Sequence, residues 1–312
     1  MIDMKPKLIV VAGPTASGKT ACAVALCKKI GGEVVSADSM QIYRGMDVLS
    51  AMPTPEEMQG IPHHMMNFAD PSEKFSAARY RDMAKAAIAE IHGRGVQPVL
   101  CGGTGLYINA VTRPMEFSEK CDEALRQQLL QMAQEPGGRG KLHTMLSEID
   151  PEAARKLHEN DVRRVTRAIE VYRLTGRTQS EQAKLDAQRE GDYREILFCL
   201  RWPREELYRR INQRVDSMLQ SGLVEEVRAL RADESRHPTA LQAIGYKEIA
   251  AALEGRMTME EAVSLVKQLS RNYAKKQMTW FQRDPRAVWI DAMGKDADQI
   301  ADEMKQIMER ET

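Results

Sequence analysis

The sequence shows no excess of charge of either sign: 45 Lys plus Arg stand against 45 Asp plus Glu in 312 residues. A global field that would gather nucleic acid or an anionic membrane is excluded, so any basic site must be local. No apolar run approaches the roughly 20 residues that cross a bilayer, and the opening MIDMKPKLIVV reads as a charged lead into a strand, not as a signal peptide. A soluble, cytoplasmic protein with no membrane partner is expected. Cysteine pairing is also missing. Cys22, Cys27, Cys101, Cys121 and Cys199 are odd in number, scattered, and form no C-x-x-C, which implies reduced thiols and no metal role. His63 and His64 are adjacent, but no second cluster supplies further zinc ligands, and both read as loop histidines bonded to backbone. Internal repeats and low-complexity tracts are absent. What remains is 43% apolar content, enough for one substantial core and a second, smaller one.

Nearly continuous apolar runs occur at KLIVVAG (7 to 13), EVVSAD (33 to 38), PVLCGG (98 to 103), EILFCLR (195 to 201) and AVWIDA (287 to 292). Such runs fit strands covered on both faces, and the helical segments between them predict an α/β fold, a parallel sheet wound with helices. The stretch from about 119 to 193 has no strand signal, so residues 113–195 are predicted to be a helical insertion into a core of 1–112 and 196–312. Within it EPGGRGK (135 to 141) reads as a flexible turn. After the last insertion residue, REELYRRINQRVDSMLQSG places Leu207, Ile211, Val215 and Met218 on one helix face and ends at a capping Gly222.

The first strand leads into GPTASGKT, residues 13 to 20. Gly13 and Gly18 permit torsions that turn backbone N–H groups toward an anion, the following helix adds its positive end, Lys19 adds a full charge, and the Thr20 hydroxyl can hold Mg²⁺. This pattern specifies a P-loop and a polyphosphate without specifying a reaction. A motor ATPase or GTPase has an apolar strand ending in Asp beside the loop. Here the third predicted strand ends in CGGTG, and Asp291 in VWID is the only conventional-looking candidate. Asp38 closes the second strand at the carboxyl edge, where ligands sit in open α/β sheets; it can take a proton from a nucleophile, hold Mg²⁺, or cap the following turn. Three basic clusters follow, with Arg163, Arg164 and Arg167; Arg209, Arg210 and Arg214; and Arg271, Lys275, Lys276, Arg283 and Arg286 among Tyr273, Trp280 and Phe281. Cations mixed with rings suit phosphate contact and base stacking, although such runs also occur as solvated helix faces.

Eight segments occur in order from residue 13 to 284: GPTASGKT, VVSADSMQIYRGMDV, GIPHHMMNFADPSEKFSAARYR, CGGTGLYINAV, NDVRRVTRAIEVYRLTG, QRVDSMLQSGLVEEV, QAIGYKE and YAKKQMTWFQRD. Their succession resembles the bacterial tRNA dimethylallyltransferases, also called tRNA isopentenyltransferases, over nearly the whole chain. The resemblance implies a P-loop NTPase-like core and transfer of the dimethylallyl group of dimethylallyl diphosphate to N6 of the adenosine 3′ to the anticodon, in tRNAs reading codons that begin with U. By the same resemblance Gly13, Pro14, Thr15, Ala16, Ser17, Gly18, Lys19 and Thr20 hold the donor diphosphate with Mg²⁺ on Thr20. Arg214 matches the diphosphate-binding arginine, Asp38 the general base, and Thr104 the residue that bonds at the acceptor adenosine. Ser39, Met40 and Gln41, then Arg163, Arg164, Val165, Thr166 and Arg167, then Lys247, Lys275, Lys276, Trp280 and Arg283 fall in stretches that touch tRNA, with the insertion gripping the anticodon arm of a tRNA bound by a monomer. Arg163, Lys276 and Gln282 depart from the family's common Gln, Arg and Arg, and a lysine at 276 loses a bidentate fork. Two other functions fit parts of the chain: a P-loop nucleoside or nucleotide kinase, from the loop and Asp38, and a tRNA-binding protein without catalysis, from the basic clusters.

Overall fold

The structure is a computed structural model and describes residues 5–117, 122–232 and 242–310; Cys121 lies outside them. Six parallel strands form one sheet: β1 (Lys7–Ala12), β2 (Gly32–Ser36), β3 (His63–His64), β4 (Gln97–Gly102), β5 (Arg194–Arg201) and β6 (Ala287–Asp291), in the order β3-β2-β4-β1-β5-β6. β1 is central, with Ile9 opposite Val99 on one side and Ile196 on the other. Its side chains alternate between two buried layers, which explains the unbroken apolar run. Ile9 and Val11 join one layer with Ala23, Leu26, Ile300 and Met304. Leu8, Val10 and Ala12 join the other with Tyr80, Ile88, Ile108 and Phe281.

Helices α1 (Lys19–Ile30), α2 (Pro55–Met58), α3 (Ala77–Gly93) and α4 (Gly105–Thr112) follow the first strands. Their starts are chemically marked: Ser76 accepts from the Arg79 N–H ahead of α3, and Thr54 and Glu57 form a capping box at α2. The five predicted strands are all present. The two-residue β3 was not expected, because it sits at the sheet edge and carries two histidines where the others carry β-branched residues. His63 Nδ1 does meet a backbone carbonyl, that of Ile61 at 2.8 Å, whereas His64 Nε2 pairs with the Glu33 carboxylate at 2.7 Å. Hydrogen bonds from Arg94 and His64 overcome burial and hold Glu33 down at about 2.

The chain divides into a unit of Met1–Thr112 with Tyr193–Thr312 and a second unit of Arg113–Asp192; the second junction falls at 193, since β5 already begins at Arg194. The second unit is built from α5 (Glu123–Gln134), α6 (Gly138–Ile149), α7 (Pro151–Lys156), α8 (Val162–Thr175) and α9 (Gln179–Ala187). Leu129, Leu142, Leu146, Val165 and Ile169 fill its core. The predicted turn at 135 to 141 is shorter than expected, because α6 starts at Gly138 and tertiary packing overrides the glycine signal. A Cβ on Gly138 would sit 1.7 Å from the Met132 carbonyl oxygen, so this helix start needs glycine for close approach.

Glu170 on α8 is fully buried in this unit and takes bonds from Arg126 and Arg167, each 3.0 Å from Oε2. Burial pushes its carboxyl up, but the two arginines outweigh that and hold it below the ordinary value. Arg126→Ala should therefore destabilise the protein by about 2 kcal/mol at neutral pH, having left a buried carboxylate short of a partner. A depressed folded pKa contributes stability above the unfolded value of about 4.3 and loses it as pH falls through the folded value. Urea melts of the two proteins should differ most at neutral pH and converge in acid. A gap that stays constant into acid would mean that the arginine acts through packing alone.

After β5 come α10 (Arg204–Gln220), α11 (Leu223–Arg231), α12 (Tyr246–Leu253), α13 (Met259–Gln282) and α14 (Ala297–Arg310). Leu207, Ile211 and Val215 of α10 are buried as expected. Gly222, left-handed at φ 95°, does not cap α10, whose C-cap is Ser221; it opens α11. The 24-residue α13 is roughly 36 Å long at 1.5 Å per residue. It carries Ala262 into one apolar cluster, Ala274 into another, and Phe281 into the layer on one face of the sheet, so one helix joins three parts of the core. No helix among the described residues is long and apolar enough to cross a membrane.

Candidate active site

Three loops at the carboxyl edge of β1, β2 and β4 converge. The loop after β1 is held in shape largely from outside. Gly18 is left-handed at φ 85° and stands at the N-cap of α1. Ser17 N–H bonds the Pro14 carbonyl at 3.3 Å, the Trp202 indole N–H donates to the Ser17 carbonyl at 2.9 Å, and Arg210 Nε donates to the Ala16 carbonyl at 2.9 Å. Arg210 also stacks over Trp202, 4.3 Å from the ring centre. With its carbonyls turned outward to Trp202 and Arg210, the loop is free to turn amides inward, the geometry an anion requires. Ser17 Oγ is buried with no hydrogen-bond partner among the described residues, a polar atom of the kind a bound anion satisfies.

Charged side chains complete the cradle. Lys19 Nζ donates to the Pro14 carbonyl at 3.3 Å, and Arg214 Nη1 donates to Thr15 Oγ1 at 3.0 Å. Burial lowers the Lys19 ammonium, Arg214 lowers it further, and Asp38 opposes both. Arg214 is likewise pulled down by burial and held up by Asp38 and Glu57. Two cations thus stand close together over a glycine loop, a pair that a dense negative charge would relieve.

Asp38 follows β2 and is half-buried; its Oδ1 accepts the Met40 N–H at 2.9 Å. Thr104 follows β4. Its Oγ1 accepts the Ser39 N–H at 3.1 Å and donates to Ser39 Oγ at 3.4 Å, and its own N–H reaches the Ala37 carbonyl at 3.1 Å. The Asp38 charge is felt by Lys19, Arg214, Cys101, Tyr80, Tyr107 and Tyr273. Underneath, Tyr80 and Tyr107 stack at 3.9 Å and 11°, worth about 0.5–1.5 kcal/mol beyond burial, and Tyr80 donates to the Ser36 carbonyl at 2.7 Å. That floor fixes the end of β2 from which Asp38 emerges.

The structure brings Gly13 to Thr20, Asp38, Ser39, Thr104 and Arg214 together as the sequence suggested, and adds two residues. Tyr273 shares a hydrogen bond with Thr104; burial pushes its phenol up to about 12, with the Asp38 charge adding to the effect. Gln277, 6% exposed, bonds both the Thr15 N–H and the Gly103 carbonyl. Both lie on α13, more than 160 residues from their partners, so only the YAKKQ segment itself hinted at them.

Other predicted contact residues divide by exposure. Lys247, Lys275, Lys276, Arg283, Arg163 and Arg164 are exposed, as is Trp280, which lies against Gly105. Val165 and Thr166 are not surface residues: both are buried, and Val165 packs in the core of the second unit with Ala168 and Ile169, the apolar stripe of α8. Arg167 is committed to Glu170. Gln41 spends its amide inside, accepting from Ser36 Oγ at 2.9 Å and donating to the Ala51 carbonyl at 3.3 Å. Two of the three basic clusters are also smaller than they read. Arg209 pairs with Glu206, Arg271 donates to Asn212, and Arg286 serves Asp284, Glu195 and Asn109. Asp291, the conventional-looking acid, ends the edge strand β6 and pairs with exposed Arg201 at 2.8 Å.

The four described cysteines are plain core residues. Cys22, Cys27, Cys101 and Cys199 are buried and free, and burial pushes each thiol up to about 12, which makes them inert. Among the described residues no group of three or more His, Cys, Asp or Glu could hold a metal ion. A hard cation that takes most of its ligands from water and substrate phosphates needs no such cage, and the Thr20 hydroxyl in the first turn of α1 is a donor suited to such an ion.

Residues 41–284 match the family model described as IPP transferase. The chain belongs to the IPP transferase family. It is 44% identical over 302 residues to the tRNA dimethylallyltransferase of Carboxydothermus hydrogenoformans, covering 96% of this chain and 97% of that protein. It is 43% identical over 291 residues to that of Bacillus subtilis, covering 93% and 92%. Among solved structures it resembles the full-length tRNA isopentenylpyrophosphate transferase of Bacillus halodurans, with a TM-score of 0.73 at 43% identity over 97% of this chain and 96% of that one. A eukaryotic dimethylallyltransferase acting on tRNA superposes with a TM-score of 0.79 at 30% identity, over 97% of this chain and 77% of the other. The family-model match begins after the glycine loop and Asp38.

Proposed function

We propose that this IPP transferase family member moves the dimethylallyl group of dimethylallyl diphosphate onto N6 of the adenosine 3′ to the anticodon, in tRNAs that read codons beginning with U. The observation that carries this reading is the meeting of Lys19 and Arg214 over a glycine loop, both within reach of the Asp38 carboxylate, whose neighbour Ser39 bonds Thr104. Breaking an allylic C–O bond leaves delocalised charge on carbon and dense charge on the expelled diphosphate, and the cations and loop amides oppose only the latter. N6 attacks the allylic carbon, the C–O bond breaks, and diphosphate departs. N6 is barely basic, so its proton becomes acidic as the C–N bond forms, and Asp38 receives it. Thr104, supported by Ser39 and Tyr273, orients the adenine. Mg²⁺, if held by the Thr20 hydroxyl, would supply further charge neutralisation to the leaving group.

The acceptor base has to leave the anticodon-loop stack, at a cost of a few kcal/mol. Exposed Lys247, Lys275, Lys276, Trp280 and Arg283 on the sheet unit, and Arg163 and Arg164 on the second unit, suit contacts to the RNA backbone and to splayed bases. In this reading the protein works as a cytoplasmic monomer, and the second unit grips the anticodon arm. Purified protein incubated with an anticodon stem-loop, in parallel with dimethylallyl diphosphate and with radiolabelled ATP, tests it. Isopentenyladenosine in the first reaction alone is expected. Phosphoryl transfer without prenylation would make the protein a kinase, and retention of the stem-loop without modification would make it an RNA-binding protein.

A further inference from the structure

Gln277 is buried on α13 with both ends of its amide engaged. Oε1 accepts the Thr15 N–H at 2.8 Å and Nε2 donates to the Gly103 carbonyl at 2.9 Å. A backbone N–H only donates and a carbonyl only accepts, so the amide has one orientation. Gly103 leaves room for it: a Cβ there would sit 2.3 Å from Nε2. The two ends fall on functionally distinct loops. Thr15 belongs to the phosphate loop, and its hydroxyl receives Arg214. Gly103 immediately precedes Thr104, whose hydroxyl receives the Ser39 N–H beside Asp38. A continuous path of bonds thus runs from Arg214 through Thr15, Gln277 and Gly103 to Thr104 and Ser39.

We propose that Gln277 is a positioning residue that sets the separation between the donor-holding loop and the acceptor-holding turn. The inference rests on the reading of the two substrates given above. A transfer between two bound partners depends on holding the reacting atoms in near-attack geometry, and a displacement of about 1 Å can cost on the order of 10²-fold in rate. A residue tied to both loops acts on that distance while touching neither substrate. Its loss leaves each half-site able to bind and spoils their register. The Thr15 N–H, engaged by Gln277, holds the loop and not the anion.

Gln277→Met keeps length and apolar packing but has neither hydrogen bond; Gln277→Glu keeps an acceptor for the Thr15 N–H and, as a carboxylate, offers Gly103 no donor. Three quantities separate positioning from plain structure: calorimetric affinity for a non-cleavable dimethylallyl diphosphate analogue, affinity for the stem-loop, and the single-turnover rate with both substrates saturating. The expected result for Gln277→Met is affinities within about threefold of the parent and a rate lower by on the order of 10²-fold. Gln277→Glu, measured identically, is expected to lose rate with its affinities kept, and it stands in if the Met variant does not fold. A saturated rate within about threefold of the parent, or a loss appearing wholly in donor affinity or in the melting temperature, would overturn the proposal. The parent protein run alongside distinguishes the two levels: prenylation by the parent with unimpaired variants refutes Gln277 alone, whereas no prenylation by the parent refutes the substrate reading and the inference with it.

Discussion

Asp38→Ala is expected to lower the single-turnover rate of prenyl transfer by 10²-fold or more while changing tRNA affinity little. Proton removal by a positioned base contributes about 10²–10⁴-fold, and Asp38 is the carboxylate whose charge reaches Lys19, Arg214, Tyr273 and Cys101 alike. The same side chain also serves the backbone, since Oδ1 accepts the Met40 N–H at 2.9 Å. A bare alanine result would mix the two roles. Asp38→Asn separates them, because the amide oxygen keeps that bond and the shape while losing the charge. If Asp38 is the base, Asn fails nearly as badly as Ala. If it is chiefly a turn cap, Asn restores most of the activity. Retention of more than about a tenth of the rate by either variant argues against a general base.

Lys19→Ala should act on the other substrate, weakening dimethylallyl diphosphate binding by on the order of 10²-fold and slowing the chemical step further, since the charge on the leaving group is greatest in the transition state. Titration calorimetry with the donor measures the first effect, and single-turnover rates at saturating donor measure the second. Burial and Arg214 hold the Lys19 ammonium below the ordinary lysine value. The sign follows: raising pH removes the charge that binds the donor, and in the donor-free protein it does so earlier than for an exposed lysine. Donor affinity of the parent should therefore decline on the alkaline side before lysines ordinarily titrate, and Lys19→Arg, charged throughout, should flatten that decline. Unchanged donor affinity in Lys19→Ala would remove the phosphate loop from the site.

The sheet was legible because its five longer strands are apolar on both faces, a pattern that burial in two layers imposes directly on the sequence. β3 was not, because a two-residue edge strand made of His63 and His64 carries no such pattern, and the Glu33 partner of His64 lies 31 positions away. The glycines at 137, 138 and 140 read as a turn, yet the helix begins among them, since contact with Met132 decides that start and local propensity does not. The glycine loop at 13 to 20 was legible because a left-handed turn between strand and helix constrains a contiguous run of residues. Tyr273 and Gln277 were not, because their roles arise only when α13 is laid across loops 262 and 174 residues away in the case of Gln277. The basic clusters misled in part: composition counts cations, but only the folded chain shows that Arg210 is spent on the Ala16 carbonyl and Arg286 on Asp284.

In the proposed reaction the loop at 13 to 20 holds a prenyl diphosphate whose carbon faces the adenine amine beside Asp38. A crystal soaked with a non-cleavable dimethylallyl diphosphate analogue, ATP and an anticodon stem-loop tests it in one experiment. The expected result is the diphosphate of the prenyl compound against Lys19, Thr20 and Arg214, with N6 of the adenosine within hydrogen-bond reach of the Asp38 carboxylate. ATP in that loop, its terminal phosphorus directed at Asp38 and the prenyl compound excluded, would contradict it.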